Sequence, residues 1–248
     1  MKQKYSKTIG YSQLSLVDSQ KMLQGIRINK NIIDENIKLS EEDLILVAGA
    51  GSGQEALLVK QEFQNRTIGV DLNIDFSQVY PSNLLTGFIL QRQDLHTLAF
   101  SKDVFSLIYC YHVLEHVTKH LEVLKEFSRV LKPGGALFIG FPNKNRLFSY
   151  IGTSQKATIA EKIGWNLNDY KFKLLRKFEN RYGAHAGFTE KEFLMDAHSV
   201  FETIIPVRRN YMLSKYSHLG LIIAFIINTK LDEFLFPSNY YICIKKKN

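Results

Sequence analysis

The feature that most constrains this chain is a continuous apolar run, Leu44 to Ala48, that passes directly into Gly49-Ala50-Gly51-Ser52-Gly53. A helical pattern from Gln54 to Phe63 follows at once. An apolar run of strand length without polar alternation suits a strand covered on both faces, as in a parallel sheet. Glycines behind such a strand allow positive φ and let a ligand come close to the backbone. The helix that begins there offers free N–H groups to a polar or anionic ligand. Strand, glycine turn and helix in this order predict an α/β fold that binds a nucleotide.

The remaining pattern alternates in the same way. Strands are expected at Thr67 to Val70, Thr86 to Gln91, Val104 to Tyr111 and Ala136 to Phe141, with helices at Phe76 to Leu84 and His120 to Leu131. Pro133-Gly134-Gly135 reads as the stop of the second of these helices and the turn back into the sheet. Apolar positions from Leu14 to Ile37 predict one or two amphipathic helices ahead of the first strand. Glu190 to Val200 reads as a helix, Phe201 to Arg208 as a strand, Tyr211 to Phe236 as mostly helical and Tyr240 to Lys245 as the last strand. A chain of 248 residues suits one domain of this kind. Its 45% hydrophobic and 23% charged residues argue against disorder. The expected architecture is a Rossmann-like doubly wound sheet of seven mostly parallel strands, with an antiparallel last strand and a helical cap insertion. Its parts are N-terminal helices (1–40), a core (43–143), the cap (144–188) and the completion of the sheet (189–248).

Two acidic residues stand in register with the glycine loop. Asp71 ends the second strand, twenty residues after Gly51, where a carboxylate accepts both hydroxyls of a ribose or caps the following helix. Asp94 follows the third strand, where it can accept from an exocyclic amine of adenine while the Leu95 N–H reads a ring nitrogen. The glycine spacing is G-x-G-x-G, and Gln54 stands where a nicotinamide dehydrogenase has its third small residue. That tilts the site away from a nicotinamide dinucleotide.

At this point the sequence resembles the class I S-adenosylmethionine methyltransferases, and most of all the small-molecule branch of ubiquinone and menaquinone biosynthesis. Five segments carry the likeness in order: Leu46 to Gly53, Gly69 to Asp71, Asp94 to Phe100, Val104 to Val117 and Leu131 to Ile139. The resemblance implies transfer of a methyl group from S-adenosyl-L-methionine, leaving S-adenosyl-L-homocysteine. It implies that Gly49, Ala50, Gly51 and Gly53 underlie the cofactor, that Asp71 with Leu72 holds the ribose, and that Asp94 with Leu95 reads the adenine. Cys110, Tyr111 and His112 would line the methionine end. Two positions depart from the family pattern: Val47 replaces an acidic residue, and Ser106 replaces an aspartate.

Methyl transfer to a hydroxyl requires a base, and histidine has the suitable pKa. His112 directly follows the fourth strand, where catalytic groups of open α/β sheets sit. His185 lies in a glycine-flanked loop before a helix that Thr189 can cap, and related enzymes carry a histidine there. His116 reads as a partner of Glu115 or a helix cap, and His120 as surface. No metal site is expected.

The segment from Asn143 to Arg181 has nine basic against three acidic residues and many aromatics. It suits a cover for an aromatic, anionic or lipid-like acceptor, an RNA-binding surface, or a solvated cap with its aromatics turned inward. The net charge of +8 favours an anionic partner or surface, or reflects plain solubilisation. Leu219 to Ile227 is apolar but far short of the ~20 residues of a bilayer span. With nearby lysines it suits peripheral contact with an anionic membrane. No apolar segment follows the basic N-terminus, and Cys110 and Cys243 fall in apolar strands, so a reducing cytoplasm is expected. A small-molecule acceptor is the first expectation. An RNA or protein methyltransferase comes second, a catalytically silent cofactor-binding protein third, and an oxidoreductase last.

Overall fold

The computed structural model describes residues 16–74, 86–150, 157–182 and 185–247. The apolar run forms β1 (Leu44–Ala48), whose residues beyond Leu44 are buried, and it lies inside a seven-stranded sheet. The other strands are β2 (Arg66–Asp71), β3 (Phe88–Arg92), β4 (Phe105–Tyr111), β5 (Leu131–Pro142), β6 (Thr203–Pro206) and β7 (Ser238–Ile244). Their order is β3-β2-β1-β4-β5-β7-β6. β1 pairs in parallel with both β2 and β4, so the strand order reverses at β1. Ligands of open α/β sheets bind at that reversal, outside the carboxyl ends of the strands. β7 runs antiparallel to β5 and β6, as expected of the last strand.

Helices cover both faces. On one side lie α1 (Leu16–Asn36), α2 (Gln54–Phe63), α6 (Arg208–Lys215) and α7 (Gly220–Asn228), which share a core with Val47, Tyr109 and Phe138. On the other lie α3 (His120–Val130) and α5 (Glu190–His198), packed on Leu46, Ile108 and Phe141. Neighbouring strand residues therefore serve different cores, which explains why β1 and β4 lack polar alternation. Two further helices, α4 (Ile159–Leu174) and α8 (Asp232–Leu235), complete the chain.

Several boundaries differ from the sequence reading. β5 starts directly after α3, so Pro133-Gly134-Gly135 lies inside the strand, where the β4–β5 register shifts between Phe105 and Leu107. β6 is shorter than expected and β7 begins two residues earlier. The expected helix from Phe76 to Leu84 lies outside the described residues. α8 is fixed by Asp232, which is fully buried and pairs with Arg208 at 2.8 Å and Arg209 at 3.1 Å. Arg208 also donates to Asn239 Oδ1 at 2.6 Å, tying α6 and α8 to β7.

Candidate active site

The glycine loop turns through positive φ at Gly49, Gly51 and Gly53. Two different needs hold these glycines. A Cβ on Gly49 would fall 2.2 Å from Val113 Cγ2, so there the close approach is by the protein's own side chain. A Cβ on Gly51, with φ of 52°, would meet nothing within 4 Å, so Gly51 faces open space. Gly51 therefore needs glycine for its positive φ and leaves free space beside the loop, whereas Gly49 is held by packing. The Gly51 N–H donates to Asp71 Oδ2 at 2.9 Å, and Asp71 Oδ1 accepts the Asn73 N–H at 2.8 Å. Asp71 thus braces the loop against the tip of β2, with Leu72 exposed beside it. Glu55, in the first turn of α2, has no hydrogen bond or ion pair among the described residues. Desolvation pushes its pKa up to about 8.

Asp94 lies where expected, but it is engaged. Its Oδ1 accepts the His96 N–H at 2.9 Å and contacts His96 Nδ1 at 2.7 Å. The same ring reaches the Thr118 carbonyl through Nε2 at 2.6 Å. These bonds hold the Asp94 carboxyl below its ordinary range, and the Thr118 carbonyl and Asp94 raise the pKa of His96. His96 was not singled out in the sequence; its place two residues after Asp94 is the only local signal. Leu95 is buried, which leaves only its backbone for the expected contact. The same holds for Cys110, whose side chain packs in the core and whose thiol pKa is raised by burial.

At the end of β4 the chain bends at His112, whose φ is 54°. Left-handed backbone is rare for a residue with a Cβ. Here it is held by the His112 N–H donating to the Gly140 carbonyl at 2.7 Å. The bend sets His112 Nδ1 at 3.3 Å from Glu115 Oε1, a carboxylate with only 1% side-chain exposure. Nε2 lies 3.5 Å from Ser238 Oγ. Because β7 is antiparallel, Ser238 arrives at the carboxyl ends of the other strands. Tyr111 packs edge-on against the His112 ring, and its hydroxyl lies 3.4 Å from that of Tyr240.

His116 Nε2 is 4.0 Å from Glu115, and the His116 ring meets the His185 ring at 4.9 Å. Loss of water around His185, together with His116, keeps its pKa below the ordinary histidine value. The His185 segment is pinned. Arg146 donates to the carbonyls of His185 and Ala186, and Asn143 forms a parallel bridge with Phe188. Thr189 caps α5 in a capping box with Glu192. His112, Glu115, His116 and His185 therefore form one line, and Val113 packs that line against Gly49. His120 is not plain surface: Nε2 meets Asp196 Oδ2 of α5 at 2.7 Å. No group of three or more His, Cys, Asp or Glu side chains among the described residues has a metal-binding arrangement.

The departure at Ser106 is settled at the far end of β4. Ser106 bonds to Asp43, which also meets Lys132 at 2.9 Å, away from the glycine loop. In the basic insertion, Arg146 is buried and pairs with Asp169 at 3.0 Å, so this charge is structural. Phe148, Trp165 and Tyr170 are exposed, Tyr150 and Phe172 are half-buried and Phe178 is buried, so the aromatics turn inward only in part.

Comparison with known proteins finds methyltransferases. Residues 46–139 match the family described as a methyltransferase domain. A ubiquinone biosynthesis O-methyltransferase of Pseudomonas fluorescens is 26% identical over 194 residues, 74% of this chain and 78% of that protein. A Galdieria sulphuraria structure, assigned provisionally as a sarcosine dimethylglycine methyltransferase, superposes with a TM-score of 0.56 at 15% identity. The match covers 93% of this chain and 87% of that one. Geranyl diphosphate C-methyltransferase of Streptomyces coelicolor gives a TM-score of 0.50 at 15% identity, covering 93% and 79%. The two structures share the fold.

Proposed function

Taking as premise that this chain is a class I S-adenosylmethionine-dependent methyltransferase, we propose that it methylates a hydroxyl of a small-molecule acceptor with His112 as general base. One observation carries the assignment: a buried Glu115 carboxylate faces His112 Nδ1, and Nε2 stands on the opposite side of the ring, 3.5 Å from Ser238 Oγ at the strand tips. A carboxylate there holds the proton on Nδ1 and frees the Nε2 lone pair.

The residues present fit the cofactor. Gly51 is open on its Cβ side, the loop is braced by Asp71, and the first N–H groups of α2 lie behind it. Gly49, Ala50, Gly51 and Gly53 would underlie it, Asp71 with Leu72 would take its ribose, and Asp94 with the Leu95 backbone its adenine. Cys110, through its backbone, and Tyr111 would line the methionine end. When bound, S-adenosylmethionine supplies a methyl group already activated on a sulfonium. The protein's task is then to orient the acceptor and remove its proton. His112 Nε2 takes the hydroxyl proton. Glu115 steadies the resulting imidazolium at low dielectric. His185, favoured in its neutral form, closes the wall beside His116 and contacts the acceptor. An O-methyltransferase among the relatives supports a hydroxyl acceptor over an amine or carbon. Two free buried cysteines accord with a cytoplasmic setting.

The test measures adenosylhomocysteine release with phenolic, aliphatic hydroxyl, amine and activated-carbon acceptors. His112→Gln is expected to lower kcat by about 10²–10⁴ with adenosylmethionine binding by calorimetry retained. Glu115→Gln is expected to lower kcat, with adenosylmethionine binding retained. Full turnover in His112→Gln on a hydroxyl acceptor sinks the base assignment.

A further inference from the structure

α4 is attached to the protein by its polar residues. Asn166 bonds with the backbone of Ser149, and buried Asp169 takes Arg146, while Lys173 reaches the Arg146 carbonyl. The apolar residues stand elsewhere. Ile159, Ile163, Leu167, Tyr170 and Leu174 recur at helical spacing, and every one is exposed, Ile159 by 79% and Leu174 by 85%. An amphipathic helix ordinarily turns such a stripe to the core. Here Ile159, Ile163, Leu167 and Tyr170 of the stripe border, with Phe148, a groove of about 470 Å³. A second exposed apolar face lies on α7, where Leu221 is 91% exposed beside Ile222 and Phe225. Leu147, next to Phe148, is tied to α8, its N–H donating to the Phe234 carbonyl at 2.7 Å. Apolar surface of this extent marks an interaction site.

Charge selects the occupant. Lys171, Arg176 and Lys177 follow the α4 stripe and Lys215 and Lys230 flank α7, within a chain of net charge +8. Lysine and arginine around an apolar face match a membrane surface with anionic headgroups. No helix among the described residues is long and apolar enough to cross a membrane, so the contact lies in the interface plane.

We propose that the exposed faces of α4 and α7 dock this protein on an anionic bilayer, side chains such as Leu167 and Phe225 entering the acyl boundary. The membrane reading extends beyond the Leu219 to Ile227 run to the polar-anchored α4, and it stands independently of the acceptor assignment.

Flotation with vesicles of phosphatidylcholine containing one third phosphatidylglycerol, at low and high salt, tests it. The protein is expected to float with these vesicles at low salt, and not with phosphatidylcholine alone. Ile163→Ser/Leu167→Ser and Leu221→Ser/Phe225→Ser are each expected to weaken binding at least tenfold, with circular dichroism and adenosylhomocysteine affinity unchanged. Should a double variant unfold, Lys171→Glu/Lys177→Glu, in and just after the last turn of α4, serves, with the same expected loss. Absence of flotation, or binding that none of these variants weakens, overturns the proposal. So does a wild-type dimer in sedimentation velocity that the serine variants dissociate without change in lipid binding.

Discussion

Replacing Glu55 by glutamine should stabilise the protein in a pH-dependent way. In the unfolded chain the carboxyl titrates near its ordinary value of 4.5, whereas in the fold it stays protonated to about 8. Between these values the folded state binds more protons than the unfolded one, so stability falls as pH rises. At pH 7 the interval is about 2.5 pH units, or roughly 3 kcal/mol at about 1.4 kcal/mol for each. Glutamine keeps the shape but also loses water on burial, so the net gain is smaller, about 1–3 kcal/mol at pH 7. For a chain of this length that corresponds to about 2–4 °C in Tm for each kcal/mol. Urea denaturation of both proteins from pH 4 to 9 reads the difference. It should be near its minimum below pH 4.5, grow towards pH 8 and level off above. A difference independent of pH would refute the argument, because the cost would then not come from ionisation.

Asp232→Ala should destabilise by about 3–5 kcal/mol, because buried Arg208 is left without its counterion; denaturant midpoints measure this. Gly187→Ala should displace the His185 loop, since its Cβ would fall 1.7 Å from the Pro142 carbonyl at a φ of 73°. Low turnover with adenosylhomocysteine affinity retained is the expected pair of readouts. His96 has a folded pKa above its ordinary 6.5, so its contribution is full below pH 6.5 and fades as pH rises through the folded value. His96→Ala should therefore cost more stability at pH 5.5 than at pH 8.5, and an NMR titration of His96 should show the raised midpoint.

The segment from Leu44 to Phe63 was legible because its signals are local: an apolar run, glycines that need positive φ, and a helical period behind them. The side-chain partners were not legible in the same way. Nothing near Asp94 announces that His96 will bridge it to Thr118, since that bridge requires the β4–α3 connection to return over the loop. Glu115 stands three residues from His112, but only the left-handed bend at His112 turns the two together. α4 misleads by its pattern. Its apolar period points inward on paper, yet buried Arg146 requires an acid, and Asp169 meeting that need turns the stripe to the outside. The Pro133-Gly134-Gly135 turn failed for a related reason, because pairing with neighbouring strands carries β5 through it.

The bond from Gly51 to Asp71 has a kinetic consequence. A cradle whose floor is already strapped to the neighbouring strand needs little rearrangement when a nucleoside arrives, so association should proceed in one phase limited by diffusion and orientation. Slow, multiphasic capture would then originate elsewhere in the chain, and under the proposed placement the strand tips would serve as a fixed platform for exchange of spent for fresh cofactor.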